Sequence, residues 1–265
     1  EGQLAQWKAE ALAVQPDDLA TLIYTSGTTG LPKGVMLTHD NIYSNVQASL
    51  QVLPFDHGHE VSLSFLPLCH IFERMGDYCY WAIGAAIHYV ENFDLVPICL
   101  QEARPTFAMS VPRLYEKMYA RVFENALASG AITKRVFFWA RSVANRWADE
   151  KLAGREPGGP LAWQYALATK LVFSKIQART GGRMRYFVSG GAPLAAEINK
   201  FFYAAGLTIL EGYGLTETSP VIGVNAPGAF RIGTIGRPIA GVEVQIASDG
   251  EVLTRGPHVR KGYWN

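Results

Sequence analysis

The sequence predicts an α/β protein: a parallel-type sheet with covering helices, a helical insertion, and a β-rich C-terminal part. Three observations predict it. Between residues 19 and 111, short β-forming runs alternate with stretches of helical spacing, and the connections are short. That alternation calls for parallel strands joined by crossover helices. Residues 112–182 carry helical periodicity alone, whereas 183–220 return to the α/β pattern and 221–265 break into short strands between Gly and Pro turns. The expected units are therefore 1–111, 112–182, 183–220 and 221–265, the second inserted within the same domain as its neighbours.

Residues 1–14 read as a polar-faced helix closed by Pro16-Asp17-Asp18. The run 19–24 is apolar and rich in β-formers, so it reads as a buried strand, and 35–37 as a second one in the same sheet. Ile42, Val46 and Leu50 place a helix over 39–53, ended by Pro54. Strands follow at 61–66, 86–90 and 106–111, with helices at 71–83 and 95–102; Pro97 must fall in the first turn of the latter. In the insertion, Leu114, Met118, Val122 and Ala126 form one stripe and Ile132, Val136, Ala140, Val143 and Trp147 another. A third helix spans 161–179, in register at Ala168, Val172 and Ile176. Phe137, Phe138, Trp139 and Trp163 add aromatic surface. A bundle packed on the sheet accounts for these stripes. The basic residues Lys134, Arg135, Arg141 and Arg146, off the second stripe, leave open a peripheral membrane contact. Strands at 184–188 and 207–210 flank a helix over 193–205, and the β-rich end suggests a small barrel or a distorted sheet.

Composition excludes several classes. With 265 residues, 49% of them apolar, the chain can bury a sizeable core, and a net charge of +1 gives no bulk attraction to nucleic acid. The three cysteines, Cys69, Cys79 and Cys99, form no C-x-x-C pair; they read as buried free thiols and fit a reducing, cytoplasmic setting. No apolar run is long enough to span a bilayer.

The chemistry concentrates first in Tyr24-Thr25-Ser26-Gly27-Thr28-Thr29-Gly30-Leu31-Pro32-Lys33-Gly34. Glycines let backbone approach a ligand, successive N–H and hydroxyl groups wrap a polyanion, and a lysine adds a point charge. This is phosphate-loop chemistry, although Lys33 lies between Pro32 and Gly34 and not before Ser or Thr as in a Walker P-loop. A hydroxyl-rich hairpin loop without a ligand is the alternative. A second polar stretch is Glu211-Gly212-Tyr213-Gly214-Leu215-Thr216-Glu217-Thr218. Read alone it is a turn after a strand, with Glu217 a solvated acid. Beside a phosphate loop, Tyr213 offers a face to a nucleobase, Thr216 a hydroxyl to a phosphate, and Glu217 a hard carboxylate to Mg²⁺.

These strings resemble the signatures of the adenylate-forming superfamily of acyl-CoA synthetases, luciferases and peptide-synthetase adenylation domains. The resemblance extends through Ser189-Gly190-Gly191-Ala192-Pro193-Leu194, Gly233-Thr234-Ile235-Gly236-Arg237-Pro238, Gly250-Glu251-Val252 and Gly262-Tyr263, so it covers nearly the whole chain. Leu66-Pro67-Leu68-Cys69-His70-Ile71-Phe72-Glu73-Arg74, Val111-Pro112-Arg113-Leu114-Tyr115-Glu116-Lys117 and the long insertion are similar to long-chain fatty acid–CoA ligases.

The resemblance implies ATP, Mg²⁺, a fatty acid and CoA as ligands. Thr25, Ser26, Gly27, Thr28, Thr29, Gly30 and Lys33 would hold the β- and γ-phosphates, and Gly190, Gly191 and Ala192 the adenine side. Tyr213 and Gly214 would face adenine, with Thr216 at the α-phosphate and Glu217 on Mg²⁺. His70 would stand beside the acyl carboxylate; a core histidine hydrogen-bonded at a helix start is its other reading. It also implies that the family's ribose aspartate, its C-terminal lysine and the front third of the domain lie outside these residues. Residues 1–265 alone would then form no acyl-CoA. An aryl or medium-chain carboxylate–CoA ligase, and a non-catalytic nucleotide-binding protein, stay open as alternatives.

Overall fold

The computed structural model describes residues 2–26 and 31–264. In chain order its regular elements are α1 (Gly2–Ala13), β1 (Leu19–Thr25), β2 (Lys33–Thr38), α2 (His39–Leu50), β3 (Val61–Ser64), α3 (Ile71–Ala82), β4 (Ala86–Tyr89), α4 (Val96–Ala103) and β5 (Phe107–Ser110). The insertion follows as α5 (Pro112–Ala128), α6 (Ala131–Leu152), α7 (Gly159–Ala168) and α8 (Ser174–Arg179). Then come β6 (Tyr186–Ser189), α9 (Ala196–Ala204), β7 (Thr208–Gly214), β8 (Val221–Val224), β9 (Arg237–Pro238), β10 (Glu243–Ile246), β11 (Val252–Arg255) and β12 (Gly262–Trp264).

Seven strands form the central sheet in the order β4-β3-β5-β6-β7-β8-β9. The five from β4 to β7 run parallel, and β8 and β9 join antiparallel. Strand residues alternate between two cores. Ala108, Phe187 and Ile209 face α4, α5, α6, α8 and α9, while Phe107, Met109, Val188 and Leu210 face α2, α3 and the β1–β2 hairpin. A sheet covered on both faces needs apolar residues at consecutive strand positions, and β5, buried at all four, has them.

Six expectations need correction. The hairpin β1–β2 does not belong to the parallel sheet; it pairs antiparallel and takes β12 as a third strand. The connection from Thr25 to Lys33 is too short for a parallel crossover, which needs a dozen or more residues. Only Ile23 of β1 is buried, so this is not a buried strand. The third insertion helix is not continuous, because residues Thr169–Phe173 widen into a π turn. On α6 the stripe fails at its start, where Ile132 is 80% exposed. Cys69 is exposed, whereas Cys79 is buried, and burial pushes the Cys79 thiol up to about 12. The β-rich end makes no barrel among the described residues: it supplies β8 and β9 to the central sheet, the separate hairpin β10–β11, and β12 to the hairpin sheet.

Two of the four basic residues of α6 are engaged within the protein. The Arg141 guanidinium lies 4.8 Å from the Phe123 ring centroid, and Arg146 donates to Gln164 Oε1 at 2.9 Å. Among the described residues, no helix is long and apolar enough to cross a membrane.

Candidate active site

Ligands of such sheets bind beyond the carboxyl ends of the parallel strands. At that edge Ser110, Ser189 and Glu211 stand in register as the last paired residues of β5, β6 and the parallel part of β7. A cavity of about 470 Å³ opens above them. Its wall includes His70, Gly190, Gly191, Tyr213, Gly214 and Thr216, so six of the sequence-predicted residues border one space. The rest of the wall is largely apolar, with Ile71, Met109, Val188 and Val221 among its members.

Each bordering residue is fixed by a local cause. His70 precedes the first turn of α3, is exposed, and makes no capping hydrogen bond with its side chain, so it is not a core histidine. Gly191 adopts φ +81°, a conformation that L side chains rarely take, and this turns the chain out of β6. Gly190 packs against the Phe72 ring, where a Cβ would approach within 2.9 Å. The Gly-Tyr-Gly stretch is not a turn. It continues β7 and pairs antiparallel with β8, and a Cβ on Gly214 would collide with the Pro220 carbonyl.

The Thr216–Thr218 turn is built by its hydroxyls and by α2. The Leu215 N–H donates to Thr218 Oγ1 at 2.9 Å, and that hydroxyl donates to the Pro220 carbonyl at 2.6 Å. Asn45, buried on α2, donates to the Val221 carbonyl at 2.8 Å and accepts from the Val221 N–H at 3.2 Å. Asn45→Ala would strand both backbone groups. A buried unsatisfied polar group costs about 1–3 kcal/mol, so a loss of about 2 kcal/mol in urea unfolding is expected, and an unchanged midpoint would show that the clamp is idle.

Glu217 stands one residue past the cavity wall, half-buried. Its Oε1 accepts from the Tyr263 hydroxyl at 3.0 Å, and its backbone carbonyl accepts from the Arg260 N–H at 2.9 Å. The Tyr263 ring is flanked by the Arg260 guanidinium at 3.8 Å and by Lys33 Nζ at 5.4 Å from its centroid. Tyr263, on β12, thus links the mouth of the hairpin to the Glu217 turn. Lys33 opens β2 opposite Thr25, and Ser26 is exposed beyond Thr25. Ala192 is exposed and stands off the cavity wall. Gly27, Thr28, Thr29 and Gly30 lie outside the described residues.

Among the described residues, no group of three or more His, Cys, Asp and Glu side chains gathers as a metal cage. The single carboxylate of Glu217 suits Mg²⁺, which binds through one or two carboxylates and completes its shell with substrate phosphates and water.

Three residues at the site carry no role in the sequence reading. Glu73 lies on the cavity wall and is wholly buried; burial foremost, then the nearby charge of Asp77, push its carboxyl up to about 7. Its signal was two acids one turn apart, Glu73 and Asp77, on a helix of otherwise apolar face. Glu211, also buried, accepts from Asn199 Nδ2 at 2.9 Å and from the Leu194 and Gly233 N–H groups at 3.4 Å, which ties three segments to the end of β7. Tyr263 gave no local signal, since its partner Glu217 is remote in sequence.

Known proteins resemble this chain along nearly its whole length. The chain is 40% identical over 265 residues to the putative fatty-acid–CoA ligase FadD11 of Mycobacterium tuberculosis, covering 99% of this chain and 46% of that protein. It is 36% identical to the peroxisomal long chain acyl-CoA synthetase 6 of Arabidopsis thaliana, covering 94% of this chain and 36% of that one. The chain therefore spans less than half the length of these relatives. Among solved structures, ATP-bound MatB from Rhodopseudomonas palustris superposes with a TM-score of 0.63 at 28% identity, over 94% of this chain and 42% of that one. MenE from Bacillus subtilis, in complex with ATP and magnesium ion, shares the fold at a TM-score of 0.65 and 22% identity, over 95% of this chain and 44% of that one. A family model described as AMP-binding enzyme matches residues 1–264, and the chain belongs to that family.

Proposed function

We propose that this chain carries the adenylate-forming site of a long-chain fatty acid–CoA ligase. In that reaction a carboxylate oxygen attacks the α-phosphorus of ATP, the bond to the β-phosphate breaks, and pyrophosphate leaves. The CoA thiol then attacks the acyl carbonyl, a C–S bond forms, AMP departs and the thiol proton is released.

One observation carries the reading: His70, Tyr213 and Thr216 converge on one apolar-walled cavity, at the strand ends where such folds bind ligands. The apolar wall suits an acyl chain, and the Tyr213 ring suits a nucleobase face. Thr216, on the cavity wall, would offer its hydroxyl to the α-phosphate. Lys33 and the loop before it would take the β- and γ-phosphates, and Gly190 and Gly191 would border the adenine side. Glu217 would hold Mg²⁺, with Tyr263 fixing one carboxylate oxygen and leaving the other for the ion. When bound, Mg²⁺ would supply charge neutralisation to the transferring phosphates. The residues themselves contribute position and fixed charge, which dominate this class of transfer. The name of the 40% identical Mycobacterium tuberculosis relative supports a fatty acid as the substrate, and that of the 36% identical Arabidopsis thaliana relative supports the long-chain assignment.

The test is acid-dependent ATP–pyrophosphate exchange by the full-length protein. Palmitate should drive exchange far better than octanoate or benzoate. Preference for octanoate or benzoate would move the assignment to a medium-chain or aryl ligase, and no exchange with any acid would leave a nucleotide-binding protein.

A further inference from the structure

A second and larger cavity, of about 690 Å³, lies in the helical insertion, on the opposite face of the sheet from α2 and α3. It runs between α4, α5, the start of α6, and the 169–179 segment. Its volume falls within the roughly 300–1,000 Å³ of small-molecule sites. It shares no wall residue with the cavity of the adenylation reading.

Its chemistry is amphipathic in a particular way. The walls are apolar, with Leu114, Val122, Val136, Phe137 and Ile176 among them. Ile132, 80% exposed, and Leu171, 42% exposed, leave apolar surface at its margin. Four cations, Lys117, Arg121, Lys175 and Arg179, also line it, against one carboxylate, Asp94. Lys117 takes that carboxylate at 3.1 Å. Among the described residues, no carboxylate lies within ion-pair distance of Arg121, Lys175 or Arg179.

The backbone is unusual at the same place. The π turn Thr169–Phe173 contributes Leu171 and Val172 to the wall. Such turns are rare and occur frequently at functional sites. Here the π turn interrupts the third helix of the insertion at the point where it borders the cavity.

We propose that this groove binds a free long-chain fatty carboxylate, its chain along the apolar walls and its head among Arg121, Lys175 and Arg179. An apolar trough alone would suit any greasy ligand. Three cations without carboxylate partners select an anionic head, and their aliphatic stems can lie along the chain while the charges stay at the rim. The proposal stands on this groove alone and does not depend on the adenylation reading, because binding here needs neither ATP nor Mg²⁺.

The experiment is photolabelling with a diazirine-bearing palmitate, without ATP, Mg²⁺ or vesicles, followed by peptide mapping. Adducts are expected in Pro112–Ala128 and in residues 169–179. The triple variant Arg121→Gln, Lys175→Gln, Arg179→Gln should lower these adducts by about tenfold or more, the scale of losing one charge-assisted contact or more. Its circular dichroism spectrum and urea-unfolding midpoint should match the wild type and report an intact fold. Val122→Trp, which fills the groove without touching charge, should remove the same adducts, and a diazirine-bearing palmityl alcohol should label the groove far less than the acid does. The proposal is overturned if the groove peptides stay unlabelled, if the triple variant labels like the wild type, or if the alcohol labels as well as the acid. Groove labelling that appears only with anionic vesicles would also overturn it, by making this face a membrane contact.

Discussion

Glu217→Gln will lower acid-dependent ATP–pyrophosphate exchange by about 10²–10³-fold in the full-length protein, the typical loss when one fixed electrostatic partner of a transferring group is removed. The substitution keeps size and shape, so Tyr263 can still donate to the remaining oxygen at Oε1. The carboxylate charge is what disappears. Because the turn is built from backbone and hydroxyl contacts at Leu215, Thr218 and Pro220, the fold should be unaffected. The apparent Mg²⁺ requirement should rise with the loss of rate. Near-normal exchange at ordinary Mg²⁺ would remove Glu217 from the metal role.

Glu73→Gln will change stability in a pH-dependent way. Glu73 is wholly buried at the start of α3, where Phe65 N–H donates to its Oε1 at 3.1 Å and Oε2 has no partner. Burial first, and the Asp77 charge after it, raise its carboxyl from 4.5 to about 7. A carboxyl raised on folding favours the native state while protonated. That contribution is whole below about pH 4.5 and is lost as pH rises to about 7. Above that, the buried charge costs about 3 kcal/mol, at 1.36 kcal/mol per pKa unit. The glutamine variant carries no such charge. Urea unfolding should therefore find it more stable than wild type by about 2–3 kcal/mol near pH 8, with the gap closing towards pH 5. A variant less stable by the same amount at both pH values would show that the carboxylate is satisfied by contacts that glutamine cannot make.

How far the fold was legible follows from what fixes each element. The parallel strands and their helices were readable because β5 to β7 are buried on both faces and their covering helices keep a 3.6-residue period. Helix α4 shows the limit of detail that local rules reach, with Pro97 in its first turn as required. The partnership of β1, β2 and β12 was not readable, because Tyr263 meets Val35 across more than two hundred residues of chain. The π turn left no mark on the apolar spacing, since Ala168 and Ile176 are both buried with the π turn between them. Ile132 was misplaced because periodicity reports a stripe and not where a helix leaves its neighbour.

The site divided along the same line. Residues that act through their own backbone shape, Gly190, Gly191 and Gly214, sit in strings whose composition already marks them. Residues that act through a distant partner do not. Tyr263 acquires meaning from Glu217 and Arg260, Glu211 from Asn199, and Glu73 from its burial beneath the cavity.

The central claim is that residues 66–75, 189–191 and 212–217 form one acyl-adenylate site. Hydrogen exchange with and without palmitoyl-sulfamoyl-adenosine, a stable acyl-adenylate analogue, tests it most directly. The structure predicts that all three segments gain protection together, that Tyr213→Ala weakens the gain in each of them, and that the insertion peptides of α6 do not respond. Protection confined to one segment, or found only outside all three, would contradict the claim.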